Sequence, residues 1–101
     1  MKVKHISSSW LKSAVKKILK KHLDLSSYEA FFFGSRVRGD NFERADIDIG
    51  VVGPRPIPAE KKLVIAEELE RLPILYKFDF VDFKSVSPSF YKEALKYKET
   101  I

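Results

Sequence analysis

Residues 28–52 read YEAFFFGSRVRGDNFERADIDIGVV. Two apolar runs, Tyr28 to Phe33 and Ile47 to Val52, flank a polar segment punctuated by glycine. The first run is brief, rich in aromatic residues and closed by Gly34-Ser35, which favours a buried strand over a helix. The second ends at Gly53-Pro54 and is followed by Pro56 and Pro58, residues that cannot donate ladder hydrogen bonds, so it reads as a second strand of limited length. Between the two strands the chain has room for a short turn or helix.

Working outward, Ser9 to His22 places Leu11, Ala14, Val15, Ile18 and Leu19 at helical spacing, with serines ahead of them to cap the first turn. A helix from Pro58 or Ala59 to Arg71 is expected downstream, with Leu63, Ala66 and Leu69 or Glu70 marking its turns and Pro73 closing it. Tyr76 to Phe83 reads as a third strand. Ser87-Pro88 opens a last helix, with Pro88 at its first position, running to about Lys98. Helices alternating with strands predict a two-layer α/β (α+β) domain, a small mixed sheet flanked by helices, with residues 1–101 forming one unit.

With 45% hydrophobic residues and eight Phe, the composition excludes the low-hydrophobicity signature of disorder. The absence of cysteine removes disulfides, thiolate metal sites and a cysteine nucleophile, leaving oxygen or imidazole to bind any metal. No apolar stretch is long enough for a signal peptide or a membrane span, so a soluble, cytoplasmic protein is expected. The net charge of +5 is uneven, with Lys12, Lys16, Lys17, Lys20 and Lys21 crowding the first helix. Such a face can bind nucleic acid, but without interleaved aromatics beyond Trp10 it reads first as a solvated helix surface. His5 and His22 read as surface or capping residues. Trp10 and Phe31-Phe32-Phe33 read as core or partner-facing surface, and Glu60, Glu67, Glu68 and Glu70 as solvating a helix.

The chemistry is concentrated in Gly34-Ser35-Arg36-Val37-Arg38-Gly39 and Asp46-Ile47-Asp48-Ile49-Gly50-Val51. Alternation along a strand puts Asp46 and Asp48 on one side and Ile47 and Ile49 on the other. Two carboxylates so close repel unless a cation lies against them, and magnesium favours a few carboxylate oxygens together with substrate phosphates. In isolation an Asp-x-Asp is no more than an exposed strand start. The Gly34-Ser35 turn changes its meaning: glycine lets the backbone approach a ligand, turn amides receive phosphate oxygens, and Arg36 and Arg38 add positive charge. An anion-receiving turn and a dicarboxylate ten residues later describe both halves of a magnesium-triphosphate site.

A third carboxylate is then expected on a neighbouring strand, as a metal ligand or proton acceptor. Parity in Lys77-Phe78-Asp79-Phe80-Val81-Asp82-Phe83 sets Asp79 with Val81 and Phe83, and Asp82 with Phe78 and Phe80, so only one acid faces the site. An acid among aromatics in mid-strand is costly unless paired or metal-bound, which selects Asp79; Asp82, nearer the strand end, reads as solvated.

Gly34-Ser35, the ten-residue gap, Asp46-x-Asp48 and Phe78-Asp79-Phe80-Val81-Asp82 resemble the minimal nucleotidyltransferase (MNT) family of the DNA polymerase beta-like superfamily. The likeness spans nearly the whole chain. It implies a palm-like fold, two magnesium ions held by Asp46, Asp48 and Asp79, and a triphosphate on the Gly34-Ser35 turn. It further implies transfer of a nucleoside monophosphate, usually AMP from ATP, to a hydroxyl. Many members are antitoxins encoded beside a HEPN-domain partner, and some adenylylate that partner on tyrosine. Ala45 departs from the pattern, since serine commonly precedes the first acid; metal binding does not require that hydroxyl.

Three other functions compete with protein adenylylation. The chain can act as a binding antitoxin that neutralises a HEPN-type partner without catalysis, as a small-molecule nucleotidyltransferase, or as a nucleic-acid binder through the Lys12 to Lys21 face. The last requires steeply salt-dependent affinity.

Overall fold

The first helix begins at a serine whose side chain closes it. Ser7 Oγ accepts a hydrogen bond from the Trp10 N–H at 2.9 Å, satisfying one of the amides that a helix start leaves without a partner. The computed structural model describes residues 7–34, 46–74 and 76–101. Helix α1 (Ser8–His22) is followed by β1 (Glu29–Phe33), β2 (Ile47–Val52), α2 (Ala59–Glu70), β3 (Phe78–Asp82) and α3 (Pro88–Ala94). A 3-10 turn (Leu95–Tyr97) and a short strand β4 (Lys98–Thr100) complete the order.

The strands form one mixed sheet in the order β3-β2-β1-β4. β1 and β2 run antiparallel, whereas β2 and β3 run parallel with α2 in the crossover. The small mixed sheet flanked by helices expected from the sequence is what forms.

Alternation gives the sheet two different faces. Ala30, Phe32, Ile47, Ile49 and Val51 join Leu11, Val15, Ile18 and Leu19 of α1 and Ile65 and Leu69 of α2 in the larger core. Full burial of such a side chain stabilises the fold by about 1.5–3 kcal/mol, so most of the cohesion lies on this side. Phe31, Phe33 and Phe83 form a smaller cluster on the opposite face, with Val81, Tyr91 and Ala94 packed against it.

Three expectations need correction. The phase of α2 is set by Ile65 and Leu69, which are fully buried, while Leu63 points outward and is 61% exposed. Reading the turns from Leu63 and Ala66 mistakes the phase because Ile65, four residues before Leu69, is the other core residue. The last helix also stops at Ala94 rather than near Lys98. Lys98–Thr100 pair instead with Phe31–Phe33 in the antiparallel sense. A Lys98–Glu29 ion pair and the Lys12–Glu99 contact at 3.0 Å reinforce that edge. Finally, Glu68 does more than solvate α2: it accepts from His22 Nε2 at 3.0 Å and pairs with Lys21 at 3.3 Å, joining α2 to the end of α1. Those contacts, the His22 hydrogen bond foremost, hold the Glu68 carboxyl below its ordinary range. Among the described residues, no helix is long and apolar enough to cross a membrane.

Candidate active site

The register of the sheet assembles the site. Phe33 lies opposite Asp48 across the β1–β2 pair, and Asp48 lies opposite Asp79 across the β2–β3 pair. One transverse row therefore holds Phe33, Asp48 and Asp79, and parity directs all three to the face away from α1 and α2. Asp46 stands immediately before β2 and is exposed, Asp48 is half-buried, and Asp79 is exposed.

Gly34, the residue after β1, has φ +82°, a conformation in which a side chain is strained. A methyl group there would meet Asp48 Oδ2 at 2.1 Å. Glycine is thus required both by the turn and by the carboxylate packed against it. Gly50 has a related role one pleat further along β2, where a Cβ would strike the rings of Phe83 and Phe31 at 2.3 and 2.8 Å. Those rings can then pack beneath the strand beside Asp48.

Burial, then the negative charge of Asp79 and then that of Asp46, push the Asp48 carboxyl from its ordinary 3.8 up to about 6. The sheet brings Asp48 and Asp79 side by side, and Asp46 adds its charge from the strand entrance. Among the described residues, no group of three or more acids or imidazoles is gathered closely enough to form a ready-made metal cage. The donor set nonetheless suits a hard divalent cation, because it is all carboxylate and carries repulsion that such a cation would relieve.

An open cleft of about 330 Å³ lies over this row, lined by Phe33, Gly34, Asp48, Asp79, Phe90, Glu93, Ala94 and Tyr97. The last four come from α3 and the 3-10 turn. Their spacing of three, four and seven residues from Phe90 marks one helical face, a signal present in the sequence that the reading of single motifs passed over. Ser35, Arg36 and Arg38, predicted to serve the phosphates, lie outside the described residues, as do Ala45 and His5.

Asp82 contradicts its expected solvation. It is only 5% exposed, and its carboxylate accepts from the Ile57 N–H at 2.8 Å and from the Lys84 N–H at 3.0 Å. Two backbone donors meet the cost of burying the acid, so Asp82 fixes the loop before α2 and the turn after β3. It sits on the face opposite Asp79 and has no part in the cleft.

The family model described as polymerase beta, nucleotidyltransferase matches residues 13–101. The chain belongs to this nucleotidyltransferase family. Its fold is similar to that of a toxin-antitoxin complex solved with AMP-PNP, with TM-score 0.73 and 21% identity over 88% of this chain and 70% of that one. A complex of tri-AMPylated Shewanella oneidensis HEPN toxin with MNT antitoxin is matched with TM-score 0.71 and 18% identity, covering 93% of this chain and 71% of the other. A protein assigned as a minimal nucleotidyltransferase is matched over 98% of this chain and 100% of its own, with TM-score 0.62 and 21% identity. Identities this low establish likeness of fold alone. No curated protein is matched by sequence.

Proposed function

We propose that this nucleotidyltransferase moves AMP from ATP to a hydroxyl on a protein partner, a tyrosine of a HEPN-domain toxin, and so acts as an antitoxin in the cytoplasm. The observation that carries the reading is the pairing of Asp48 with Asp79 across parallel strands, beside a positive-φ glycine and within an open cleft. Support for the partner comes from the neighbouring folds, one solved with AMP-PNP and one with an AMPylated HEPN toxin.

In this reading Asp46, Asp48 and Asp79 hold magnesium, two ions by the family resemblance. When bound, such a metal would supply positive charge against the phosphates and lower the pKa of a hydroxyl brought to it. Gly34 leaves the backbone open for the triphosphate, with Ser35, Arg36 and Arg38 following it in the chain to receive the β- and γ-phosphates. Asp48 is paired with strands on both sides, and its carboxylate lies where a side chain at Gly34 would otherwise stand. Asp79, which is exposed, accepts in this reading the proton that the acceptor hydroxyl loses as its oxygen attacks the α-phosphorus and pyrophosphate departs.

Incubation of the protein with labelled ATP, magnesium and a HEPN-domain partner, followed by mass measurement of the partner, tests the proposal. Addition of AMP to tyrosine that vanishes in Asp48→Asn supports it; undiminished addition by that variant removes it. Neutralisation of the partner by an Asp46→Ala/Asp48→Ala protein would show that binding, not transfer, is the antitoxic act.

A further inference from the structure

Across the cleft from the acids stands an aromatic wall for which the phosphate chemistry has no use. Phe90 and Tyr97 line it, each 45% exposed. Phe90 is braced rather than loose. Its ring stacks on Phe83 at 5.6 Å with 25° between the planes, and meets Phe33 edge-on at 6.3 Å and 86°. Phe33 in turn pairs in register with Asp48, so the brace is continuous with the row of acids.

A nucleoside triphosphate has two ends with opposite needs. The phosphates need cations and amide donors, while the base offers flat, weakly hydrated faces. The cleft offers both kinds of surface: Gly34, Asp48 and Asp79 come from the sheet, while Phe90, Ala94 and Tyr97, with the Glu93 carboxylate among them, come from α3 and the 3-10 turn, and its volume of about 330 Å³ is that of a small-molecule site. Trp10, Leu63, Val64 and Leu95 are also exposed, but none of them lines the cleft.

We infer that Phe90 and Tyr97 form a stacking subsite for the nucleobase, and that it holds purines more tightly than pyrimidines because their stacked face is larger. The inference rests on the triphosphate reading of Asp48 and Asp79. A π-face interaction of this kind strengthens binding by about five- to a hundred-fold.

Calorimetric titration of the full chain with ATP, UTP and inorganic tripolyphosphate, each with magnesium, separates the two ends. ATP is expected to bind about ten-fold tighter than tripolyphosphate, with UTP between them. Tyr97→Ala and Phe90→Leu should each weaken ATP about five-fold and leave tripolyphosphate unchanged, while Tyr97→Phe keeps the wild-type affinity for both. Retained tripolyphosphate binding also reports that each variant is folded. Equal affinity of the wild type for ATP and tripolyphosphate would overturn the subsite alone and leave the rings as a surface for a protein partner. Unaltered ATP binding in both Tyr97→Ala and Phe90→Leu, or equal losses for ATP and tripolyphosphate, would also overturn it. If neither ATP nor tripolyphosphate binds the wild type, the triphosphate reading falls and takes this inference with it.

Discussion

The two faces of the sheet are built to different ends. Toward α1 and α2, Phe32, Ile47, Ile49 and Val51 meet two helices in a closed core, and the acid on that side, Asp82, is buried with its hydrogen bonds made. Toward α3, only Phe31, Phe33 and Phe83 form the buried cluster among the described residues, and Asp48 and Asp79 are left facing an open cleft. The same strands supply both faces, so a single backbone register sets a closed core on one side and an open row of acids on the other. An acid on this sheet is buried with its hydrogen bonds made, or left open to the cleft, according to the parity of its position.

The sharpest way to break the comparison is to weaken the closed face. Phe32→Ala should cost about 3–5 kcal/mol of unfolding free energy in urea titrations, since it empties part of a closed core. A Phe90→Ala change on the open face, where the ring is 45% exposed, should cost well below that. Similar losses from both would mean that the faces share the load. Next in size, Asp48→Asn should lower the rate of AMP transfer by on the order of 10²–10³-fold, read by label incorporation. The same change should raise the melting temperature, because it removes a carboxylate pushed up by burial and by the charges of Asp79 and Asp46. A variant that loses both activity and stability would place Asp48 in the structural class with Asp82.

Asp82→Ala should do the reverse. Leaving the Ile57 and Lys84 amides without their acceptor should cost about 1–3 kcal/mol, while transfer measured well below the melting temperature persists. The smallest expected effect is in pH. Between 3.8 and about 6 the native Asp48 binds more protons than the unfolded chain does. Relative to Asp48→Asn, the metal-free wild type should therefore lose stability as pH rises through that window, with the lowered carboxyls of Asp24, Glu68 and Glu99 acting alike in both proteins, while magnesium affinity rises across it as proton competition fades. Because Asp48 is only half-buried, solvent screening keeps the change modest. Melting temperatures that move equally with pH in wild type and Asp48→Asn would contradict the assignment.

Much of this contrast is legible in the sequence. The alternation Asp46-Ile47-Asp48-Ile49 gives the faces of β2, and the odd spacing of Asp79 and Asp82 already sends those two acids to opposite sides. Gly34 marks the end of β1 because no other residue suits its backbone. What escapes a linear reading depends on partners far along the chain. Asp82 looks solvated until the Ile57 amide, 25 residues away, is brought to it by the crossover. Lys98–Thr100 has no strand signal of its own and is recruited by the free edge of β1. The phase of α2 is decided by which residues meet the sheet, and the acids give no hint of the aromatic wall opposite them.

Gly34 and Asp48 occupy overlapping space, since any Cβ on the one would collide with the carboxylate oxygen of the other. A side chain at residue 34 is opposed twice, by the left-handed backbone of the turn and by the carboxylate beside it. Shortening residue 48 would relieve the collision and leave the backbone strain in place. A suppressor screen for folded Gly34→Ala protein should therefore find no full rescue at position 48, and under the function proposed above any partial rescue found there would also be inactive, which leaves this corner of the fold little room for mutational drift.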